Sequence, residues 1–530
     1  MTATRTPATS TTISPTLGRI MRSTAIVVAF SLGSKVVSLG QTFLIARQFG
    51  LSADYDSFVT ANTIPEQIFN LIAGGALSYA FIPMFGGLLV QDKREQAWEL
   101  ASNVLNTVLL AALFISGIVF LAAPSLIGSL APKMTPLLQA QTVDLMRILL
   151  VSLIIFCMSG LSIGILQSHQ HFLLPAAAPL LYDLALLFGI AVLAPRYGVR
   201  GLAYGAVLGA AAHFLIQVPG LIFYKMRWRP FLNWRDPTFL RVIALMIPRA
   251  LGLALLNLNL LVAVYFANNI GEGAVSAFNW GWRLMQFPET LIGTALGIVI
   301  FPTLAALSAA GDSEGKRNAM SGALRYILFA AIPAAFLLVL VGRPTVGLLE
   351  GGQLNDAGAS LIYSVLVFFA PGVIVHSAVE IVARSFYADK DTVTPLFVAL
   401  LSAIVNITLA YLLTQPGSLG IPGLALANTV AVTVELLVLL LILRRRWNGI
   451  HEGALVATVT KTVLASLALT AAMLAASVVL NRIGGSKLND VIRIGLLTGV
   501  GGAAFILVNY LLRSDEMLHV LRMVAARRRS

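Results

Sequence analysis

Apolar residues run along this chain in long blocks rather than in the short alternations of a soluble fold. Windows of about 20 apolar residues, the length a helix needs to cross a bilayer, recur about fourteen times. They lie near 24–46, 57–88, 99–122, 143–167, 174–193, 200–223, 239–268, 273–306, 320–341, 357–387, 394–414, 420–443, 456–480 and 490–512. The pattern predicts an all-α polytopic membrane protein with about 14 transmembrane helices, although two adjacent blocks can also form one broken helix. The first block is as long as a full span and is followed by many others, so it reads as a membrane helix rather than a cleaved leader. Residues 1–17, rich in Thr, Ser and Pro, read as a disordered tail.

The blocks repeat. Leu166 to Pro175 (LQSHQHFLLP) parallels Phe386 to Pro395 (FYADKDTVTP), and Gly198 to Ala203 (GVRGLA) parallels Gly420 to Ala425 (GIPGLA). Pro65-Glu66 parallels Pro288-Glu289, and Phe81-Ile82-Pro83 parallels Phe301-Pro302; the offset stays between about 219 and 223 residues. One copy therefore holds about six spans. An even number gives both copies the same orientation, related by an axis along the membrane normal. The expected organisation is an N-lobe over 18–235 (spans 1–6), a C-lobe over 236–447 (spans 7–12), and 448–530 carrying spans 13–14 and a basic tail. Two such lobes leave a central cavity for a substrate.

Composition agrees: 58% of residues are hydrophobic and 11% charged, against about a quarter charged in a soluble domain. The net charge of +13 would suggest nucleic acid in a soluble protein. Here the cations sit in short loops, so no nucleic-acid partner is expected. With the N-terminus inside, cytoplasmic segments hold about 23 of the 36 Lys and Arg and the other side about eight. They include Lys93-Arg94, Lys225 to Arg241, Lys316-Arg317, Arg444-Arg445-Arg446 and Arg527-Arg528-Arg529. That bias sets both termini in the cytoplasm. Arg444 to Arg446 read as a topology signal that also attracts anionic membrane lipid.

Ionisable groups within spans cost roughly 2.5–3.5 kcal/mol each on the insertion scale and usually face a bundle interior or a wet cavity. Lys35 lies about eleven residues from either end of its block, as a cavity-facing cation or the partner of a carboxylate. Arg283, in Trp280-Gly281-Trp282-Arg283-Leu284-Met285, lies about ten residues into its span; its depth favours function over an interfacial belt. Arg249 follows Pro248 and either binds substrate or satisfies the carbonyl that proline frees. Glu66 and Glu289 follow prolines at repeat-related positions, where they cap freed amides, titrate or form ion pairs. Asp183, Glu380 and Glu435 are also intramembrane and stay unranked. Lys35, Arg283 and Arg249 together suit an anion such as a diphosphate, which guanidinium groups grip bidentately.

Other signals are weak. Gly201, Gly205 and Gly209 predict close helix packing, and the single cysteine, Cys157, reads as inert packing. His169 and His171 have no partner at a ligand spacing. The sequence carries no nucleotide-binding loop and no nucleophile motif. No metal, no cofactor and no catalytic residue is expected, and the reading is a transporter rather than an enzyme.

Several motifs together resemble the MurJ (MviN) lipid II flippases. They are Gly33 to Gly40 (GSKVVSLG), Ile45 to Gly50 (IARQFG), Ala53 to Phe58 (ADYDSF), Ile64-Pro65 and Ala73 to Pro83. Further on come Trp282 to Pro288 (WRLMQFP), Gly293 to Gly297, Phe301-Pro302, Phe386-Tyr387-Ala388, Asp391 and Thr394-Pro395. The resemblance covers nearly the whole chain and implies the fold of the multidrug/oligosaccharidyl-lipid/polysaccharide exporter superfamily. That fold has two six-helix lobes around a cavity, with spans 13 and 14 forming a groove for a lipid tail. The implied activity is alternating-access flipping of undecaprenyl-diphosphate-linked peptidoglycan precursor across the bacterial cytoplasmic (inner) membrane.

The sequence departs from the family pattern at named places. The family usually carries Arg where Lys35 sits and Arg-Asp where Gln41-Thr42 sit. It often carries basic residues at Phe69 and Asn70 and a carboxylate at Gly74. Arg283 keeps the family's residue type. A sodium site with an acidic residue on span 7 has no counterpart here. The substrate-binding set read from the sequence is Lys35, Arg283, Arg249, Glu66 and Glu289, in a monomer. Other readings stay open: a flippase for another polyprenyl-linked glycan, a cation-coupled exporter, or a non-transporting paralogue.

Overall fold

The computed structural model describes residues 15–72, 76–480 and 487–527. The first helices are α1 (Pro15–Phe49), α2 (Ala53–Ile72), α3 (Ala76–Val90), α4 (Arg94–Leu130), α5 (Pro136–Ser168) and α6 (Leu173–Phe188). A π turn (Gly189–Leu193), α7 (Ala194–Tyr197), α8 (Val199–Leu215), α9 (Val218–Phe223) and α10 (Pro237–Ile270) follow. Next come α11 (Ala274–Glu289), a second π turn (Thr290–Thr294), α12 (Ala295–Ala309), α13 (Ser313–Gly347) and α14 (Asp356–Ala388). The chain ends with α15 (Val393–Leu413), α16 (Ile421–Arg446), α17 (Glu452–Leu480), α18 (Lys487–Leu511) and α19 (Asp515–Arg527). No β-strand occurs among the described residues, where a lone bridge joins Gly351 and Leu354.

Eleven helices among the described residues are long and apolar enough to cross a membrane, with three shorter apolar helices at Ala80–Val90, Pro237–Ile247 and Asn259–Ile270. This is a multi-pass membrane protein. Of the expected spans, the one near 57–88 runs over residues 73–75, which lie outside the described set. The span expected at 273–306 is one crossing, Ala274–Ala309, which carries the π turn Thr290–Thr294 between α11 and α12. The tail expected over 1–17 also lies mostly outside the described residues, and α1 already begins at Pro15.

Contacts divide the chain into two compact units, residues 1–44, 64–124 and 143–253, and residues 45–63, 125–142 and 254–530. In the first, Leu145, Met146, Leu149, Leu153 and Leu161 of α5 form a fully buried stripe with Phe81 and Phe85 of α3. Their 3–4 residue spacing is one helix face. Helices α6 and α8 meet through glycines. A Cβ on Gly205 would stand 2.8 Å from the Gly189 Cα, and one on Gly201 2.4 Å from the Ala194 nitrogen. Lipid offers no hydrophobic drive between helices, so such backbone approach is what van der Waals packing needs.

In the second unit α14 is central, in contact with α11, α12, α13 and α16, and it buries Phe369 and Phe386 completely. Helices α17 and α18 close on Ala465, Leu469, Met473, Leu497 and Phe505, backed by Phe329 and Phe336 of α13. Arg325 of α13 anchors α19 by ion pairs to Asp515 (2.9 Å) and Glu516 (2.7 Å).

The repeat is visible in the backbone corners. Gly198 (φ 58°, ψ −141°) and Gly420 (φ 66°, ψ −131°) adopt the same conformation at the starts of α8 and α16. That region is open only to glycine. Gln170 and Lys390 share left-handed φ values of 59° and 61° at equivalent turns.

Candidate functional site

In the first unit Lys35 lies exposed on α1. The helix around it is fixed to α6: the Ser34 hydroxyl donates to the Asp183 carboxylate, and Gln41 Nε2 donates to the Asp183 carbonyl at 2.6 Å. Asp183, unranked from the sequence, is thus where α6 holds α1. Glu66 is exposed one position after Pro65 inside α2. Phe69 is half-buried against Phe156, ring centroids 5.0 Å apart. Cys157 is fully buried beside it in α5. Arg249 lies within α10, but its side chain is outside the described residues.

In the second unit Arg283 is exposed on α11, and Gln286, Phe287 and Leu291 along the same stretch are exposed too. Offsets of three, four and eight residues put all of them on one open helix face. Neither neighbouring indole belongs to an interfacial belt of free rings: Trp280 is buried edge-on to Tyr55, and Trp282 packs edge-on to Phe369 and His376. Glu289 ends α11, accepting from the Thr290 hydroxyl at 3.3 Å. It lies within repulsive reach of Glu380 on α14, whose carboxylate is held by Arg384 at 2.8 Å. Gly297 makes room for that guanidinium, because a Cβ there would come within 2.7 Å of it. Glu289 is therefore one of three charges. The i,i+4 pair Glu380–Arg384 was the sequence signal for the other two.

The same unit contains a cavity of about 390 Å³ lined by Asn259, His376, Ser402, Asn406, Asn428 and Glu435 among apolar neighbours. His376 Nε2 meets Asn428 Oδ1 at 3.1 Å and Asn406 Nδ2 donates to Asn259 Oδ1 at 3.2 Å. Its volume is that of a small-molecule pocket, too small for a whole lipid-linked glycan. Among the described residues no group of three or more His, Cys, Asp or Glu side chains is placed to hold a metal.

Asp56, at the start of α2, was quoted above only within a motif. Its buried carboxylate accepts from the amides of Gly273 (2.6 Å) and Ser276 (2.8 Å) and from the Ser276 hydroxyl. In return Glu272 accepts from the amide of Ala53 at 3.1 Å. Each helix thus supplies the acidic cap of the other's N-terminus, where unpaired amides and the helix dipole favour a negative charge. Gly273 has φ 78°, and a Cβ there would collide with the Leu51 carbonyl at 2.8 Å, so the corner requires glycine.

Comparison with known proteins fits this arrangement. The family profile described as "Lipid II flippase MurJ" matches residues 45–488. The lipid II flippase MurJ of Burkholderia cenocepacia is 30% identical over 446 residues, 82% of this chain and 85% of that one. Among solved structures, "Lipid II flippase MurJ, inward closed conformation" superposes with a TM-score of 0.76 at 19% identity, covering 92% of this chain and 99% of the other. An inward-facing multidrug-resistance MATE transporter of the MOP superfamily gives 0.70 at 15% identity, covering 78% and 94%. These likenesses give the fold, and the profile and the 30% identical relative give the family: the chain belongs to the MurJ lipid II flippases.

Proposed function

We propose that this protein flips lipid II, the undecaprenyl-diphosphate-linked peptidoglycan precursor, across the bacterial cytoplasmic membrane by alternating access. It is a transporter serving cell-wall synthesis, not an enzyme. The observation that carries this reading is the family match over residues 45–488. It favours lipid II over another glycan carrier, a multidrug substrate or a silent paralogue.

Lobes over 18–235 and 236–447 rock about the substrate, with 448–530 beside them, and a single copy suffices. Lys35, Arg249 and Arg283 are the cations for the diphosphate; Glu66 and Glu289 complete the set by balancing charge around it. One observation supports the assignment: Lys35 and Arg283 are exposed on their helices. Both termini face the cytoplasm, as the Lys and Arg bias requires.

The test is complementation of a strain depleted of its own flippase, read as lipid II accumulation. Rescue with normal lipid II levels is expected. Abundant, membrane-inserted protein that leaves lipid II accumulating would refute the substrate. Orientation is read by labelling cysteines at Gln96 and Gln415 in a Cys157→Ala background. An impermeant reagent outside the cell should reach Gln415 and spare Gln96.

A further inference from the structure

The segment joining α9 to α10, residues 224–236, is laid along α4 by a built strip of polar side chains. Ser102, Asn103 and Asn106 are almost wholly buried and bond its main chain. Asn103 donates to the Asn233 carbonyl at 2.7 Å and accepts the Asn233 amide at 2.9 Å. Asn106 donates to the carbonyls of Arg229 (2.8 Å) and Phe231 (2.9 Å) and accepts the Trp228 indole N–H at 2.9 Å. The Ser102 hydroxyl donates to the Arg227 carbonyl at 3.2 Å and accepts the Arg229 amide at 3.1 Å.

The segment's backbone is satisfied from one side; the Trp228 indole N–H and the Arg229 guanidinium are tied back to α4, and most of the other side chains face outward. Trp228 is 54% exposed, Trp234 61% and Leu232 42%; Lys225, Arg227 and Arg235 are exposed among them. The carboxylates of α4 do not neutralise these cations, because Glu95 and Glu99 are both taken by Arg229 at 3.0 and 3.2 Å. Asp236 is occupied at the start of α10, accepting the Thr238 amide at 2.8 Å. Among the described residues no ion pair involves Lys225, Arg227 or Arg235. The segment leaves the membrane span Val199–Phe223, whose last two residues, Ile222 and Phe223, are more than 70% exposed. Trp228 is five residues further on, at most about 17 Å of extended chain. Trp228 is thereby kept close to the end of that span, and Trp234 lies three residues before the apolar helix that starts at Pro237, so both indoles stay near the ends of apolar helices.

We propose that residues 224–236 form a docking surface for anionic lipid headgroups of the leaflet where that span ends. Trp228 and Trp234 seat their rings at the boundary between headgroups and acyl chains, the depth that amphipathic indoles prefer. Lys225, Arg227 and Arg235 meet the lipid phosphates, as juxtamembrane basic clusters do. The strip on α4 gives this surface a fixed shape, so that it holds lipid instead of trailing as a tether. The inference does not depend on what the protein transports.

The test uses the full-length protein reconstituted in phosphatidylcholine vesicles holding about one-third phosphatidylglycerol, with bromine quenchers on the chains of one lipid or the other. The signal of interest is the fluorescence lost in Trp228→Phe/Trp234→Phe. Brominated phosphatidylglycerol should quench that share about two-fold more strongly than brominated phosphatidylcholine at equal mole fraction. Lys225→Gln/Arg227→Gln/Arg235→Gln changes only exposed side chains and should bring the two lipids to parity at unchanged yield. Asn103→Ala/Asn106→Ala should release the segment and weaken quenching by both lipids. Equal quenching in the unmodified protein, or a preference that survives the triple change, overturns the proposal. So does quenching by aqueous acrylamide but by neither bromolipid, which would mean that the surface faces water or a protein partner.

Discussion

Arg446, at the end of α16, closes on Asp391 with Nη1 2.6 Å from Oδ2. The same carboxylate caps α15 by accepting the Thr394 amide at 2.9 Å. Partial burial pushes the Asp391 carboxyl up, but the Thr394 amide and hydroxyl and the Arg446 guanidinium outweigh it and set its pKa at about 2. A depressed carboxylate stabilises the fold above its unfolded value of 3.8 and loses that contribution as pH falls through about 2. The corner is therefore fully charged at neutral pH. Asp391→Ala loses a cap and a half-exposed ion pair, together about 1–2 kcal/mol; Arg446→Gln leaves the cap and loses the pair, together with a bond to the Thr394 hydroxyl and a contact over the Phe386 ring, about 1 kcal/mol. Thermal midpoints in detergent should fall in that order, and an unmoved midpoint for Asp391→Ala would leave helix packing as the sole support.

The other copy of the repeat builds this corner from rings. His169 and His171 stand where Asp389 and Asp391 stand, 220 residues on. His169 stacks on Tyr224 at 4.3 Å between centroids and 8° between planes, with Trp98 on a second side at 5.9 Å. Burial lowers the His169 pKa, and the Arg94 charge lowers it further. The fold thus prefers the neutral ring. Between its folded and unfolded values the unfolded chain binds more protons, so the contribution is complete above the unfolded value of 6.5 and is lost as pH drops below it. The thermal midpoint should fall between about pH 7.5 and about pH 5.5. His169→Phe keeps the stack and removes the titration, so that fall should shrink. A pH dependence identical in both proteins would exclude His169 as its source.

Asp56 and Ser276 lie 220 residues apart, and their pairing ties the start of α2 to the start of α11. Asp56→Ala strands two amides and a hydroxyl at the cost of charge-assisted bonds, roughly 2–3 kcal/mol. Asp56→Asn keeps an acceptor and should lose less. Ser276 is fully buried, so a cysteine placed there reports opening of the corner directly. It should react slowly with a thiol reagent when Asp56 is present and faster in Asp56→Ala. Equal rates would show that the caps do not hold the two helix starts together.

What the sequence made legible was what repeats or runs long. Apolar blocks gave the helices, the glycine spacing gave the close packing of α8, and depth and motif marked Arg283 as a candidate. What stayed hidden depends on residues far apart in the chain. Ser102, Asn103 and Asn106 carry no local sign that a segment more than 120 residues away will lie on them. Glu289 stayed open between a cap, a titrating group and an ion pair, because Glu380 and Arg384 come from another helix. Asp56 sat in a motif whose purpose appears only when the N-terminus of α11 is beside it. The π turns at Gly189–Leu193 and Thr290–Thr294 interrupt apolar runs whose residues are as helix-compatible as their neighbours.

Arg283 is the residue on which the proposed transport chemistry is most directly tested. Its side chain is exposed on α11, so replacing it leaves no cavity and no stranded partner. Membrane abundance should be normal in every variant. Arg283→Ala removes the cation offered to the diphosphate and should abolish flipping. Arg283→Lys keeps the charge but loses the planar fork that grips two phosphate oxygens at once, so partial activity at best is expected. Arg283→Glu should be inactive, because it places an anion against an anion. The series separates charge from shape: Lys well above Ala means charge dominates, and Lys equal to Ala means bidentate geometry does. Translocation of lipid II is measured beside the abundance of each variant. If Arg283→Glu is abundant and flips at the normal rate, Arg283 does not hold the diphosphate, and the cation must be sought at Lys35 or Arg249.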